Sequence, residues 1–301
     1  MTTFVGEFRI MADARRIFAA LTESRAVRTW WSEHASVEPR TGGAFALWGR
    51  FTPWIEDEAL ADGTCTRVEA GRAIAVRWSW RGEANEASIT LTERDGVTTI
   101  AVRHETRGDL GFGDEAPWLL ADYWLTAMGN LRAYLATGAA LVRPDFRDRS
   151  GDVVLTVELD APPPAVWRAL TSAPELNRWI ARDARVVLTV GGAYSYGWTA
   201  GANKEPSGPG TLLDFVPERM LDHDWWYPHE AGANGEPEGT TSVRWELHPV
   251  EDACTRVILR HRRPPFDDPR IRAAYQLGWA SFLVLLKDHV EAPPIPLRAR
   301  A

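Results

Sequence analysis

The feature that most constrains the fold of this chain is that it repeats itself once, at domain length. Ile17-Phe-Ala-Ala-Leu-Thr22 leads to Trp30, and Val166-Trp-Arg-Ala-Leu-Thr171 leads to Trp179 after the same interval. Gly42-Gly43 followed by Phe45 and Leu47 corresponds to Gly191-Gly192 followed by Tyr194 and Tyr196; Trp30 to Trp179 and Gly42 to Gly191 are both 149 residues apart. Arg72 to Trp78 matches Arg219 to Trp225, Val102-Arg-His104 matches Leu259-Arg-His261, and the last helical stretches align on Trp124 and Trp279. Self-similarity over this length marks duplication of a whole fold, because a solenoid repeat is a single supersecondary unit only ~20–50 residues long. With 301 residues in the chain, each half is long enough to bury its own core.

Both halves carry the same succession of local signals. An alternating strand (Phe4 to Ile10; Val153 to Leu159) precedes a helix start, marked by Asp13 in copy one and by Pro162 to Pro164 in copy two. Alternating runs bounded by Gly, Pro, Asp and Asn then predict an antiparallel meander. Period two places Ile74, Val76, Trp78 and Trp80 on one face, and does the same for Leu221, His223, Trp225 and Tyr227. Ile89 with Leu91, and Val243 with Trp245 and Leu247, extend that apolar face. Each half closes with apolar residues at helical spacing: Trp124, Met128, Leu131 and Leu135, then Trp279, Leu283, Leu286 and Val290. One helix against the inner face of an antiparallel sheet is a stable two-layer arrangement. The expected organisation is a first domain over residues 1–138, a linker over 139–150, a second domain over 151–292, and a Pro-rich tail over 293–301.

Charge narrows the partners. A net charge of -7, with no basic block, gives no electrostatic footprint for nucleic acid or an anionic membrane, and small neutral or apolar partners fit better. No segment approaches ~18 uninterrupted apolar residues, so no membrane span is expected, and Glu7 interrupts what a secretory signal would need; a cytoplasmic protein is expected. Cys65 and Cys254 fall in different halves and form neither a metal spacing nor a disulfide framework. Adjacent acids Glu56-Asp57-Glu58 in a loop read as a solvated cluster, so neither a metal nor another cofactor is expected. The outlying residue type is tryptophan, 15 in the chain, which suits either a core or the wall of a ligand cavity.

The run Asp160-Ala-Pro-Pro-Pro-Ala-Val-Trp-Arg-Ala-Leu-Thr171, then Glu175-Leu-Asn-Arg-Trp179, Val190-Gly-Gly-Ala-Tyr194, Arg219 to Trp225, Thr255 to His261 and Gly278-Trp279 resembles the heat-shock-protein ATPase activator homologue-like family. That family lies in the SRPBCC, or START-like, superfamily. The resemblance covers nearly all of copy two and, more weakly, copy one, where Tyr123 replaces Gly278 and the first proline cluster is absent. It implies an α+β protein of two tandem helix-grip domains, each a curved antiparallel sheet of about seven strands around a long C-terminal helix. A mostly apolar cavity is implied beneath that helix. Similar folds host lipid carriers, cyclases, receptors and co-chaperones, so function has to be argued from the site.

Binding of a small hydrophobic or aromatic molecule is therefore the expected function, with a cyclase-like or isomerase-like enzyme as the alternative and a stress-related co-chaperone third. A chaperone partner is the weaker expectation, because both halves resemble the same domain. No Ser-His-Asp order, Gly-rich phosphate loop or His-Glu-x-x-His helix is present, so no catalytic residue is assigned. The candidate lining residues are Phe45, Trp78, Trp80, His104 and Trp124 in copy one. In copy two they are Tyr194, Tyr196, Trp198, His223, Trp225, Trp245, His261 and Trp279. Trp48 and Trp54 are further aromatic positions able to line a cavity. His104 and His261 end equivalent strands, at an expected cavity mouth. His223 stands where copy one has Val76, and a buried imidazole needs partners; alternation directs Asp222 and Asp224 to the opposite, solvated face. Tyr194, Tyr196 and Trp198 replace Phe45, Leu47 and Gly49, which predicts the more selective site in copy two.

Overall fold

The computed structural model describes residues 1–80, 82–107, 116–148, 151–200, 204–226, 241–251, 253–262 and 269–297. Tyr227, expected on one face with Leu221, His223 and Trp225, and the loop up to residue 240 lie outside them. Copy one runs β1 (Thr2–Ile10), α1 (Ala14–Thr22), α2 (Ser24–Trp30), β2 (His34–Val37), β3 (Phe45–Trp48), β4 (Thr64–Glu69), β5 (Ala73–Trp80), β6 (Glu83–Arg94), β7 (Val97–Thr106) and α3 (Ala116–Thr137). Its main sheet is antiparallel in the order β1-β7-β6-β5-β4, and the ribbon β2-β3 joins it through the bridge Ala44↔Thr64. The antiparallel meander closed by the long α3 is what the alternating runs predict, and the seven strands are the number that the family resemblance implies.

Copy two repeats the plan with β8 (Val153–Leu159), α4 (Pro163–Thr171), α5 (Ala173–Trp179), β9 (Arg185–Val186), β10 (Tyr194–Ser195), β11 (Trp198–Ala200), β12 (Glu205–Ser207), β13 (Leu212–Val216), β14 (Met220–Trp225), β15 (Thr241–Glu251), β16 (Cys254–Arg262) and α6 (Pro269–Glu291). Its main sheet, β13-β14-β15-β16-β8, is the same order read from the other end. The bridge Ala193↔Thr211 matches Ala44↔Thr64, and a register shift falls at Cys65/Arg67 in one sheet and Leu212/Asp214 in the other.

The duplication reaches single hydrogen bonds. Trp30 Nε1 donates to Ala20 O at 2.9 Å, and Trp179 Nε1 to Ala169 O at 3.0 Å. Thr98 Oγ1 donates to Ala12 O at 2.6 Å, and Thr255 Oγ1 to Ala161 O at 2.7 Å. Helix starts differ in chemistry but not in place: the Asp13 carboxylate accepts from the Arg16 amide, whereas Pro162 and Pro163 open α4 with their fixed φ and no amide to satisfy. In both Gly-Gly turns the second glycine is held by close backbone approach, since a Cβ on Gly43 would meet Glu38 O at 2.3 Å and one on Gly192 would meet Val187 O at 2.4 Å. The repeated glycines are thus a packing requirement.

By contact density the chain divides into one unit of Met1–Asp148 with Gln276–Val284 and Pro294–Ala301, and another of Arg149–Tyr275 with Leu285–Pro293. The stretch read as a linker packs onto copy one through buried Val142 and Phe146, and the tail buries Leu297. Asn130 of α3 pins that stretch: its Oδ1 accepts from Leu141 and Val142 amides and its Nδ2 donates to Val142 O. Among the described residues no helix is long and apolar enough to cross a membrane.

Candidate functional site

Copy one encloses a cavity between β3, β5, β6, α3 and the segment joining β3 to β4. Phe45, Leu47, Val76, Trp78, Trp80, Ala87, Trp31, Tyr123 and Trp124 supply most of its wall. Alternation explains Val76, Trp78 and Trp80, which share the inner face of β5, while helical spacing brings Tyr123 and Trp124 down from α3. The rings hold one another closely: Trp80 lies edge to face 5.4 Å from Tyr123 and 5.5 Å from Trp78, and Trp31 lies tilted 6.0 Å from Trp124. The cavity offers about 40 Å³ to a water-sized body, room for a few waters. An occupant larger than that must move a wall residue, and the half-buried Trp78 and Trp31 are the least confined of the rings.

Polar groups in this wall are few. Trp31 Nε1 donates to the Tyr123 hydroxyl at 3.0 Å, which leaves that hydroxyl's own proton for another acceptor. Burial holds the Tyr123 phenol well above the usual tyrosine range, so it stays protonated. The buried Thr52 Oγ1 has no hydrogen-bond partner among the described residues. Asp62 is at the exposed rim, its carboxylate accepting from the Ser79 amide at 2.8 Å.

Phe45, Trp78, Trp80 and Trp124 therefore meet in one cavity, and His104 stands outside it. His104 is wholly buried, not at a mouth: its Nδ1 accepts from Trp124 Nε1 at 3.1 Å, so Nε2 carries the proton and donates to Asn85 Oδ1 at 3.1 Å. Burial pushes its pKa down to about 3, which keeps it neutral. Its visible work is to orient Trp124. Trp54 packs its ring edge-on against Trp80, 5.1 Å away, behind the wall, and Trp48 stacks on His34.

In copy two the equivalent residues stack on one another. The pairings Cys65↔Val76 and Leu212↔His223 put His223 where Val76 stands. The Tyr194 ring lies 4.9 Å from the His223 ring, with Tyr196 5.1 Å from Trp198 and Trp198 6.1 Å from Trp225. Tyrosine stands in place of Leu47 and tryptophan in place of Gly49. The Tyr194 hydroxyl donates to Leu170 O at 2.8 Å, and Trp198 Nε1 to Ile180 O at 3.0 Å. Both nitrogens of His223 are engaged: Nδ1 donates to Asp224 O at 2.7 Å and Nε2 accepts from Trp245 Nε1 at 3.2 Å. Burial pushes its pKa down to about 4 against the opposing pull of Asp224 and Asp222. His261 donates from Nε2 to Thr241 Oγ1 at 3.2 Å, a hydroxyl whose own proton goes to Trp225 O, and burial pushes it down to about 3. His261 is buried as fully as His104, and Trp245 and Trp279 are buried too.

The flanking acids depart from alternation. Asp222 does lie on the face opposite His223, but it is buried beneath Arg244, 2.6 Å away, and Arg262, 3.5 Å away, instead of being solvated. Asp224 turns its carboxylate onto the amides of Gly210 and Thr211, and it is its backbone carbonyl that partners His223. The acids at Glu56 to Glu58 hold Arg147 by the Glu56 carbonyl and the Asp57 carboxylate. Among the described residues no cluster of three His, Cys, Asp or Glu side chains gathers that could hold a metal.

Sequence reasoning passed over Trp31, Thr52, Asp62 and Tyr123 as wall residues. Tyr123 carried a signal, since it stands on a core-facing helix where copy two has Gly278. Thr52 and Asp62 carried none, because the segment joining β3 to β4 has no periodicity.

A helix-grip domain present twice in tandem, the first with an apolar cavity under its long helix, defines a protein of the START-like class. The sequence profile of Activator of Hsp90 ATPase homolog 1-like protein matches residues 11–136 and again 160–291, and the chain belongs to that family with the domain repeated. Among solved structures, DynU16, a protein in the dynemicin biosynthetic locus, is 22% identical with a TM-score of 0.39, covering 96% of this chain and 98% of that one. The Aha1 dimer from Colwellia psychrerythraea is 21% identical with a TM-score of 0.39, over 48% of this chain and 98% of that one. PFC0360w, an HSP90 activator from Plasmodium falciparum, is 20% identical with a TM-score of 0.38, over 50% of this chain and all of its own. No curated protein matches the chain at a significant level.

Proposed function

We propose that the chain binds a small hydrophobic or aromatic molecule in the cavity of copy one. The observation that carries this reading is the cavity's construction: mostly aromatic and aliphatic walls, interrupted by the hydroxyls of Thr52 and Tyr123 and, at the rim, by Asp62. Apolar walls with a few placed polar groups are the usual make-up of a small-molecule site.

The same two hydroxyls are what a cyclase-like or isomerase-like reaction would draw on, and this is the second reading. It is the weaker one, since general acid–base work is most efficient with a pKa near the operating pH and burial drives Tyr123 the other way.

Toluene is a suitable first probe, because it is neutral and its single ring suits an aromatic and aliphatic wall. Titration calorimetry should show saturable binding to the wild type, and native mass spectrometry of freshly purified protein should detect any co-purified small molecule. Ala87→Val places two further methyl groups in the cavity from a buried β6 position and should abolish toluene binding while leaving near-ultraviolet circular dichroism unchanged. Recovery of a ligand with altered mass would transfer the case to the enzyme reading. Equal toluene affinity in the wild type and Ala87→Val, or none in the wild type, would remove the cavity from consideration.

A further inference from the structure

A second, outer pocket adjoins the cavity, and the two share the hydrogen-bonded pair Trp31 and Tyr123 as a common wall. Whereas the inner cavity is apolar, the outer pocket brings together Arg143, Thr126, Phe51 and Asn130. Helical spacing explains part of this: Tyr123, Thr126 and Asn130 succeed one another along one face of α3. Arg143 comes from the stretch that Asn130 pins to the helix.

Two observations point to an anionic occupant. Thr126 is 5% exposed, and its Oγ1 has no partner among the described residues. Other helical threonines turn back to the carbonyl four residues earlier, as Thr22, Thr29, Thr137 and Thr171 do at 2.7–3.0 Å; Thr126 makes no such bond. Arg143 lies over the Phe51 ring at 4.1 Å and donates one hydrogen bond, to Arg28 O at 3.2 Å, and among the described residues no carboxylate stands within ion-pair distance of it. The nearby Glu33 is taken by Arg50 at 2.8 Å. Burial and the Arg50 charge both work against the Arg143 cation, as its lowered pKa records. An anion placed there would relieve this cost.

Resting on the cavity reading, we propose that the occupant is an aromatic carboxylate whose apolar body fills the inner cavity and whose carboxylate lies in the outer pocket against Arg143 and Thr126. The Trp31–Tyr123 pair must part for a molecule to span the two spaces, and the Tyr123 proton is then positioned to bond it at the crossing. A guanidinium suits a carboxylate because its planar donors match two oxygens, and the Phe51 face limits the orientations the guanidinium can adopt.

Phenylacetate and its uncharged amide separate the charge from the ring. By titration calorimetry on the full chain, the acid should bind the wild type roughly tenfold or more tightly than the amide, as expected for a charge-assisted hydrogen bond. Arg143→Gln should erase that preference and leave amide affinity within about twofold, Arg143→Lys should keep part of it, and Thr126→Val should weaken the acid a few-fold. Salt should weaken wild-type binding of the acid and not of the amide, a measurement that needs no variant. If toluene and the amide bind but the acid is no tighter, or if its preference survives Arg143→Gln, the carboxylate assignment falls and the cavity reading stands. If neither phenyl compound binds, this proposal falls, and if toluene fails as well, both fall.

Discussion

His223 is where the two copies differ most sharply in chemistry, and replacing it with phenylalanine isolates what the imidazole does. A phenyl ring keeps the stack on Tyr194 but removes the acceptor of Trp245 Nε1 and the donor to Asp224 O. Two buried groups lose a bond each, so His223→Phe should cost about 2–4 kcal/mol at pH 7.5. The cost should shrink on acidification. In the unfolded chain a histidine takes up a proton near pH 6.5, whereas burial in the fold holds His223 down to about 4. Between those values the unfolded state binds a proton that the folded state refuses, so the wild type loses stability as pH falls, at about 1.4 kcal/mol per pH unit for this group. Above the unfolded pKa the contribution is fully present. Phenylalanine has no such loss, so by pH 4.5 the gap between variant and wild type should have narrowed by about 2–3 kcal/mol. His104, depressed in the same direction, is common to both proteins and cancels in the difference. Urea unfolding at the two pH values, with amide hydrogen exchange in β14 and β15 to assign the transition to copy two, measures the gap. The same gap at pH 7.5 and 4.5 would refute the claim that His223 is held neutral by burial. Unchanged toluene affinity in the variant is also expected, because the cavity lies in copy one.

Two further perturbations test the architecture. Gly63→Ala would place its Cβ 1.8 Å from Phe45 O where β3 passes β4, so circular dichroism and thermal melts should show copy one failing to fold, and a melt within a degree of the wild type would contradict that approach. Thr98→Val and Thr255→Val each remove the same buried hydrogen bond from equivalent places, and urea unfolding should show similar losses of about 1–3 kcal/mol; a loss in one copy alone would show that the local equivalence is not energetic.

Much of the architecture was legible in the residues themselves. A constant interval from Trp30 to Trp179 and from Gly42 to Gly191 reports duplication without any knowledge of contacts, and periods of two and 3.6 report strands and helices because each is a property of the local backbone. Phe45, Trp78, Trp80 and Trp124 were accordingly found as inward residues, and all four line one cavity. That these residues close around an open space was not legible there. That depends on how Leu47 and Phe45 meet Val76, Trp78 and Tyr123, and such packing joins elements far apart in the chain. The burial of Asp222 was hidden for the same reason, since alternation names a face but not the Arg244 and Arg262 that cover it. Nor could any period have put Arg143 beside Thr126. The sequence by itself determined the repeat, the order of elements and the inward faces, because those follow from local geometry; tertiary structure alone decided the open cavity, the histidine tautomers and the outer pocket, because each is set by side chains that only folding brings together.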